Sequence, residues 1–185
     1  RKGGNTALLC AEAVKGAAEK GMKARLVKLS DLEILACRGC FKCKDGACSS
    51  HGDDMGRILK QMQQADALIF ATPVYFWNVS GLMKMFFDRL LPLLVMKRDK
   101  DRTRLESRIK GRRAAFIVVQ EEAKGPHESI PKMFFERNFA DFGLELVGSV
   151  LAYGALHAGD VKKDGSVLEE ARKLGRRLAQ QTQAK

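Results

Sequence analysis

The run ADALIFAT, residues 65–72, restricts the fold more than any other stretch of the chain. After Asp66 it offers five apolar residues in succession, Ala67, Leu68, Ile69, Phe70 and Ala71. A strand with one wet face would alternate apolar and polar positions. A nearly continuous apolar run suits a parallel strand covered on both faces. The segments around it switch between helical and strand periodicity. Residues 5–20 put Leu8, Leu9, Ala13, Val14 and Ala17 at helical spacing, with Asn5 or Thr6 as N-cap and Gly21 as the stop. KARLVKL (23–29) reads as a short strand. DDMGRILKQMQQ (53–64) reads as a helix capped by Asp53, with Met55, Ile58, Leu59 and Met62 on one face.

The same alternation continues. After the loop TPVYFWN, a helix is expected over 79–94, with Val79, Leu82, Met83, Phe86, Phe87 and Leu90 as its apolar stripe. Strands are expected at RAAFIVVQ (113–120) and over 144–154, and helices over 128–142 and 165–181. Strand and helix in turn predict an α/β fold with a parallel sheet. A chain of 185 residues without repeats or linkers suits a single domain spanning 1–185. Only four strands can be counted, because the chain opens at its first helix. In a sheet of order 2-1-3-4-5 the absent element is the central first strand.

Composition narrows the class. The chain is 45% hydrophobic and 30% charged, as globular proteins are. No apolar stretch approaches the length of a membrane span. The opening RKGGNT lacks a signal sequence, so a cytoplasmic location is expected, without a membrane partner. Of the net charge of +11, residues 97–113 (KRDKDRTRLESRIKGRR) supply nine Lys/Arg against three Asp/Glu. No aromatic residues interleave there for base stacking, so the segment reads as a solvated basic connector rather than a nucleic-acid site.

Three segments carry chemistry. KGGNT joins Gly3 and Gly4 to a helix N-terminus, with Asn5 and Thr6 as side-chain donors, a combination suited to a phosphate. TPVYFWNVSG follows a buried strand, at the carboxyl edge where open α/β sheets bind ligands. Its Tyr75, Phe76 and Trp77 cannot all point inward, so at least one faces solvent, a subunit or a flat ligand. CRGCFKCKDGACSSHGDDM (37–55), which runs from a loop over 35–52 into the next helix, brings Cys37, Cys40, Cys43 and Cys48 together. In a reducing compartment such a group binds metal or does redox work. An iron–sulfur cluster, free redox thiols and zinc all remain open. Cys10 reads as a small core residue. His51, His127 and His157 are scattered and read as ordinary loop residues, although His157 sits at a strand end.

Taken in order, KGGNTALL, the C-x2-C-x2-C-x4-C run ending in DDM, and ATPVYFWNVSGLMKMFFDR resemble the NAD(P)H-dependent FMN reductases and the related iron–sulfur flavoproteins. That resemblance implies a flavodoxin-like three-layer α/β/α sandwich. It implies FMN with its phosphate on Arg1, Lys2, Asn5 and Thr6, and its ribityl chain and ring along Pro73, Val74, Tyr75, Phe76, Trp77 and Asn78. A second flavin-contacting loop would begin at Gln120 and run to Lys124. NAD(P)H is the implied electron donor, and a small molecule or small redox protein the acceptor. The flavin does the chemistry, so no catalytic side chain is expected. A [4Fe–4S] cluster on the four cysteines, near the flavin's edge of the sheet, would instead suit an electron carrier. Arg89 is a candidate for holding the nicotinamide dinucleotide. The exposed aromatics and the Phe/Leu-rich helix predict a homodimer or homotetramer.

Overall fold

A computed structural model describes residues 3–44, 47–48, 52–99 and 102–184. Helix α1 (Asn5–Ala18) is followed by extended chain and then by the Cys-rich loop, which carries a small hairpin of β1 (Cys43–Lys44) and β2 (Ala47–Cys48). Next come α2 (Met55–Gln64), β3 (Ala67–Tyr75), β4 (Asn78–Val79) and α3 (Gly81–Asp88). A hairpin of β5 (Leu94–Asp99) and β6 (Arg102–Ser107) leads to β7 (Arg113–Val119), α4 (Ser129–Asp141), β8 (Glu145–Ala152) and α5 (Gly165–Gln183).

The main sheet has the order β4-β3-β7-β8. Its three long strands are parallel, with Ala67 opposite Arg113 and Pro73 opposite Val119, and then Val119 opposite Ala152. Alternate residues of a strand face opposite sides, and both sides of the central β7 are dry, while β3 and β8 are partly exposed. Phe70, Ala114, Phe116 and Val118 pack with α2, α3 and α4. Ala115, Ile117, Val119, Val150 and Ala152 pack with α1 and α5. This is the expected three-layer sandwich. The first layer is aromatic: the Phe70 ring lies 5.2 Å from Phe87 and 5.4 Å from Phe139, and Phe116 stacks on Phe135 at 5.1 Å. In the second layer α1 and α5 touch backbone to backbone. A Cβ on Gly16 would overlap the Arg172 carbonyl, and one on Gly175 that of Ala13.

Four local expectations give way. Residues 23–29 form no strand: they lack regular structure up to the 3-10 turn Leu29–Asp31 and have no ladder partner. In the expected order a strand lies between them and β3, and no described segment fills that place. The basic connector 97–113 is largely the antiparallel hairpin β5–β6, paired from Leu94–Ser107 to Asp99–Arg102, with Lys97 bonded to Glu106 at 2.6 Å. The helix expected over 79–94 stops at Asp88, and a single 3-10 turn, Leu91–Leu93, follows. Pro92 has no N–H to give and disfavours helical backbone at Leu91. The loop TPVYFWN is a hairpin, because β3 continues through Tyr75 and pairs with β4, Val74 opposite Val79 and Tyr75 opposite Asn78. Among the described residues no helix is long and apolar enough to cross a membrane.

Candidate functional site

The carboxyl ends of β3, β7 and β8 and the N-terminus of α1 meet at one edge of the sheet. Gly3 (φ +69°) turns the chain into the helix, and the N-cap Gly4 makes no side-chain capping bond, so first-turn N–H groups are left for another acceptor. Asn5 is 3% exposed, and its amide is fully engaged. Its Nδ2 donates to the carbonyls of Ala155 (3.0 Å) and His157 (2.8 Å). Its Oδ1 accepts from the backbone N–H groups of Gly159 (2.9 Å) and Val161 (3.4 Å). The expected side-chain role toward phosphate is therefore corrected: Asn5 ties α1 to the loop after β8 and can offer a ligand only its backbone N–H. Thr6 is half-buried. Arg1 and Lys2, expected at the phosphate, lie outside the described residues.

Phe76 (φ +46°) and Trp77 (φ +67°) form the two-residue turn between β3 and β4. Positive φ at both central positions is the requirement of a type I′ turn, where Asn-Gly is usual. Two bulky residues in this conformation store strain on the order of 1 kcal/mol or more each. Phe76 is 99% exposed, Tyr75 61% and Trp77 52%. Below the turn Thr72 is fully buried; its Oγ1 donates to the Pro73 carbonyl and accepts from Ser80 N–H at 3.0 Å, and Ser80 caps α3. Asn78 Oδ1 accepts the N–H of Val79 at 2.7 Å.

The Trp77 indole stacks on the His127 imidazole, centroids 3.9 Å apart and planes 23° apart. Sequence reading passed over His127, because its partner lies 50 residues away. Beside the stack is a cleft of about 210 Å³ lined by Val74, Phe76, Trp77, Gln120, Glu121, Glu122 and His127. Gln120 is 3% exposed. Its Nε2 donates to the carbonyls of Glu122 and Ala123, while its Oε1 is buried with no partner. An unpaired buried acceptor costs about 1–3 kcal/mol unless a ligand satisfies it. Next to the cleft, Tyr153 Oη donates to Glu128 at 3.4 Å, and burial with the Glu128 charge raises the phenol's pKa. A larger hollow of about 460 Å³, lined by Gly21, Met22, Lys23, Asp66, Thr182 and Gln183, includes Asp66 just before β3, at the other end of the strand. It presents no comparable orphan group.

The Cys-rich loop hangs on a buried ion pair. Arg89, the C-cap of α3, reaches Asp53 Oδ2 from Nη1 at 2.7 Å and Oδ1 from Nη2 at 3.0 Å, both side chains 1% exposed. Nη1 also donates to the Leu35 carbonyl at 2.6 Å, and Asp53 accepts the Leu35 and Met55 N–H groups. Burial alone would raise the Asp53 carboxyl; hydrogen bonds from Arg89 and Leu35 overcome it and hold it at about 2. Arg89 is thus not available to a dinucleotide, which corrects the role expected for it. It does hydrogen-bond Cys48. Cys37 and Cys40 are exposed, and Cys43 and Cys48 half-buried. Burial, then the charges of Cys48, Cys37 and Cys40, raise the Cys43 thiol. The four are therefore neighbours, yet among the described residues no three His, Cys, Asp or Glu side chains are placed to hold a metal ion. The β1–β2 hairpin that carries Cys43 and Cys48 packs by the 3-10 turn Leu91–Leu93 that follows α3, whereas the aromatic turn precedes α3. Cys10, half-buried in α1, has its thiol pushed up to about 12 by its apolar surroundings.

The NADPH-dependent FMN reductase family matches residues 1–133. An iron–sulfur flavoprotein of Methanocaldococcus jannaschii is 32% identical over 187 residues, covering 97% of this chain and 91% of its own. A Bacillus subtilis protein, provisionally named an NAD(P)H-dependent FMN-containing oxidoreductase, is 29% identical over 96% of this chain and 92% of its own. Among solved structures, a flavodoxin from an archaeon superposes with a TM-score of 0.59 at 12% identity, covering 99% of this chain and 93% of that one. The fold is flavodoxin-like.

Proposed function

The chain belongs to the NADPH-dependent FMN reductase family and is an FMN-dependent oxidoreductase, and from that premise we propose that it draws electrons from NAD(P)H through FMN held at the carboxyl edge. The observation that carries this reading is the orphan Oε1 of Gln120, a residue that lines the cleft together with Val74, Phe76 and Trp77. A flavin ring brings an apolar body for the aromatic wall and a ring N–H for that acceptor. The other end of the cofactor fits equally well. The uncapped first turn of α1 and the Thr6 hydroxyl suit its phosphate, with Gly3 leaving room for close approach. Pro73 to Asn78 line the path between.

When bound, FMN supplies the two-electron chemistry, accepting hydride from the nicotinamide and yielding electrons to a small-molecule or small redox-protein acceptor. The chain's own residues bind, orient and shield it. No side-chain acid or base is needed, because the flavin carries the two-electron chemistry. Exposed Tyr75, Phe76 and Trp77 also favour a homodimer or homotetramer, which sizing at micromolar concentration tests.

The test is direct. Purified chain is titrated with FMN by the quenching of flavin fluorescence, then mixed anaerobically with NADPH or NADH. Tight binding followed by bleaching of the flavin band is expected. Binding without bleaching would make the protein an electron carrier, and no binding would overturn the reading. A second reading, an iron–sulfur centre on Cys37, Cys40, Cys43 and Cys48, is favoured by the neighbouring thiols and by the name of the Methanocaldococcus relative. The thiols as placed do not form a metal-holding group, so no step is derived through it. Anaerobic purification followed by iron and sulfide analysis decides it.

A further inference from the structure

The cleft between the β3–β4 turn and the segment after β7 is acidic, in a chain whose net charge is +11. Glu121 and Glu122 line it, both exposed, and among the described residues neither carboxylate is in a salt bridge. Among the described residues no Lys or Arg lines it: Lys124 is exposed outside the lining, and the His127 ring is stacked on Trp77. The basic segment 97–113, with nine Lys/Arg against three Asp/Glu, enters β7 at the opposite end. Seven strand residues put about 20 Å between that end and the cleft, against a screening length of roughly 10 Å in 0.1 M salt. Beside the carboxylates stand the exposed aromatics Phe76 and Trp77. Gln120, 3% exposed and with an unpartnered Oε1, lines the same cleft and marks it as a place for a ligand.

We propose that Glu121 and Glu122, with Phe76 and Trp77, select the electron acceptor, and that this acceptor is a planar aromatic cation. The proposal rests on the cleft being the cofactor site. A flat cation offers its charge to the two carboxylates and its face to the exposed rings, which attract cations through their own quadrupoles. An anionic ring of the same shape gains the stacking but meets two like charges. The chemistry balances without an acid. A planar cation that takes up a hydride, two electrons with one proton, becomes a neutral molecule, and no further proton is called for. The neutral product then loses its attraction to the carboxylates, which favours its release.

The test is equilibrium dialysis of the full chain at pH 8 and low salt against thionine and against resorufin, with and without FMN. Both dyes are flat tricyclic rings of similar area, the first a cation and the second an anion. The overall charge of the chain favours the anion, so a preference for the cation reports local groups. We expect thionine to bind about tenfold tighter than resorufin, and the preference to vanish in Glu121→Gln/Glu122→Gln. Asp141→Asn removes an exposed charge at the far end of α4 and should leave both affinities unchanged. Circular dichroism checks that each variant is folded. Equal binding of the two dyes, tighter binding of resorufin, or a thionine preference that survives in the double variant would overturn the proposal. Failure to retain FMN would sink the cofactor reading, whereas the dye preference and its loss in the double variant decide this one in either sample.

Discussion

Replacing Asp53 with Asn keeps the shape of the side chain and removes its charge, leaving the Arg89 guanidinium buried against a neutral amide. Both partners are 1% exposed and joined by two hydrogen bonds, of 2.7 and 3.0 Å. Breaking such a pair from one side costs about 3–5 kcal/mol, because the remaining charge is desolvated without compensation. For a chain of 185 residues each kcal/mol moves Tm by roughly 2–4 °C, so Asp53→Asn should melt on the order of 10 °C below wild type. The pH dependence gives an independent check. The carboxyl stands at about 2 in the folded protein against its ordinary 3.8, so its contribution is present above pH 4 and disappears as pH falls toward 2. With allowance for solvent screening this is on the order of 1–2 kcal/mol. Urea unfolding followed by circular dichroism at neutral pH and at acid pH measures both. The stability gap between wild type and Asp53→Asn should narrow by that amount in acid. The double variant Asp53→Leu/Arg89→Met, which buries no charge, should regain much of the loss. Asp53→Asn within about 1 kcal/mol of wild type, or a gap that does not change with pH, would show that the pair does not anchor the Cys loop.

Other substitutions probe the cleft and the helix layers. Gln120→Leu removes the orphan acceptor and should weaken FMN binding about tenfold by fluorescence titration; unchanged affinity would exclude Oε1 as a ring contact. His127→Ala should brighten Trp77, the chain's single tryptophan, by removing the stacked imidazole, and equal emission from both proteins would mean the stack is not populated in solution. Gly175→Ala forces a methyl into the Ala13 carbonyl and should cost several kcal/mol; a Tm within 2 °C or so of wild type would mean α1 and α5 do not pack this closely.

What could be read from the sequence was decided within one turn or one strand. The apolar runs at 67–71 and 114–119 needed only a period, and both became parallel strands, the second buried on both faces and the first half-buried. The stripe Met55, Ile58, Leu59, Met62 likewise became the buried face of α2. Residues 23–29 have strand composition, but a strand exists only against a neighbour, and composition does not supply one. In β5–β6 the charges hid a hairpin, because charge content alone does not report which segments pair.

The candidate site was harder to read, for a related reason. Its aromatic loop was placed correctly at the carboxyl edge of β3, since that followed from local order. Every assignment that depended on where a polar group points had to wait for distant partners. Asn5 looked like a ligand donor until Ala155, His157, Gly159 and Val161 used all its capacity. Arg89 looked like a free cation until Asp53, 36 residues earlier, took it inside. His127 looked ordinary until Trp77 covered it. A helix N-terminus or a basic side chain in a sequence is therefore a statement of supply. Whether a ligand or the fold itself uses that supply is settled by contacts 36 to 156 residues apart. In this chain the fold takes Asn5 and Arg89, and leaves Gln120 Oε1 without a partner and the first turn of α1 without a side-chain cap.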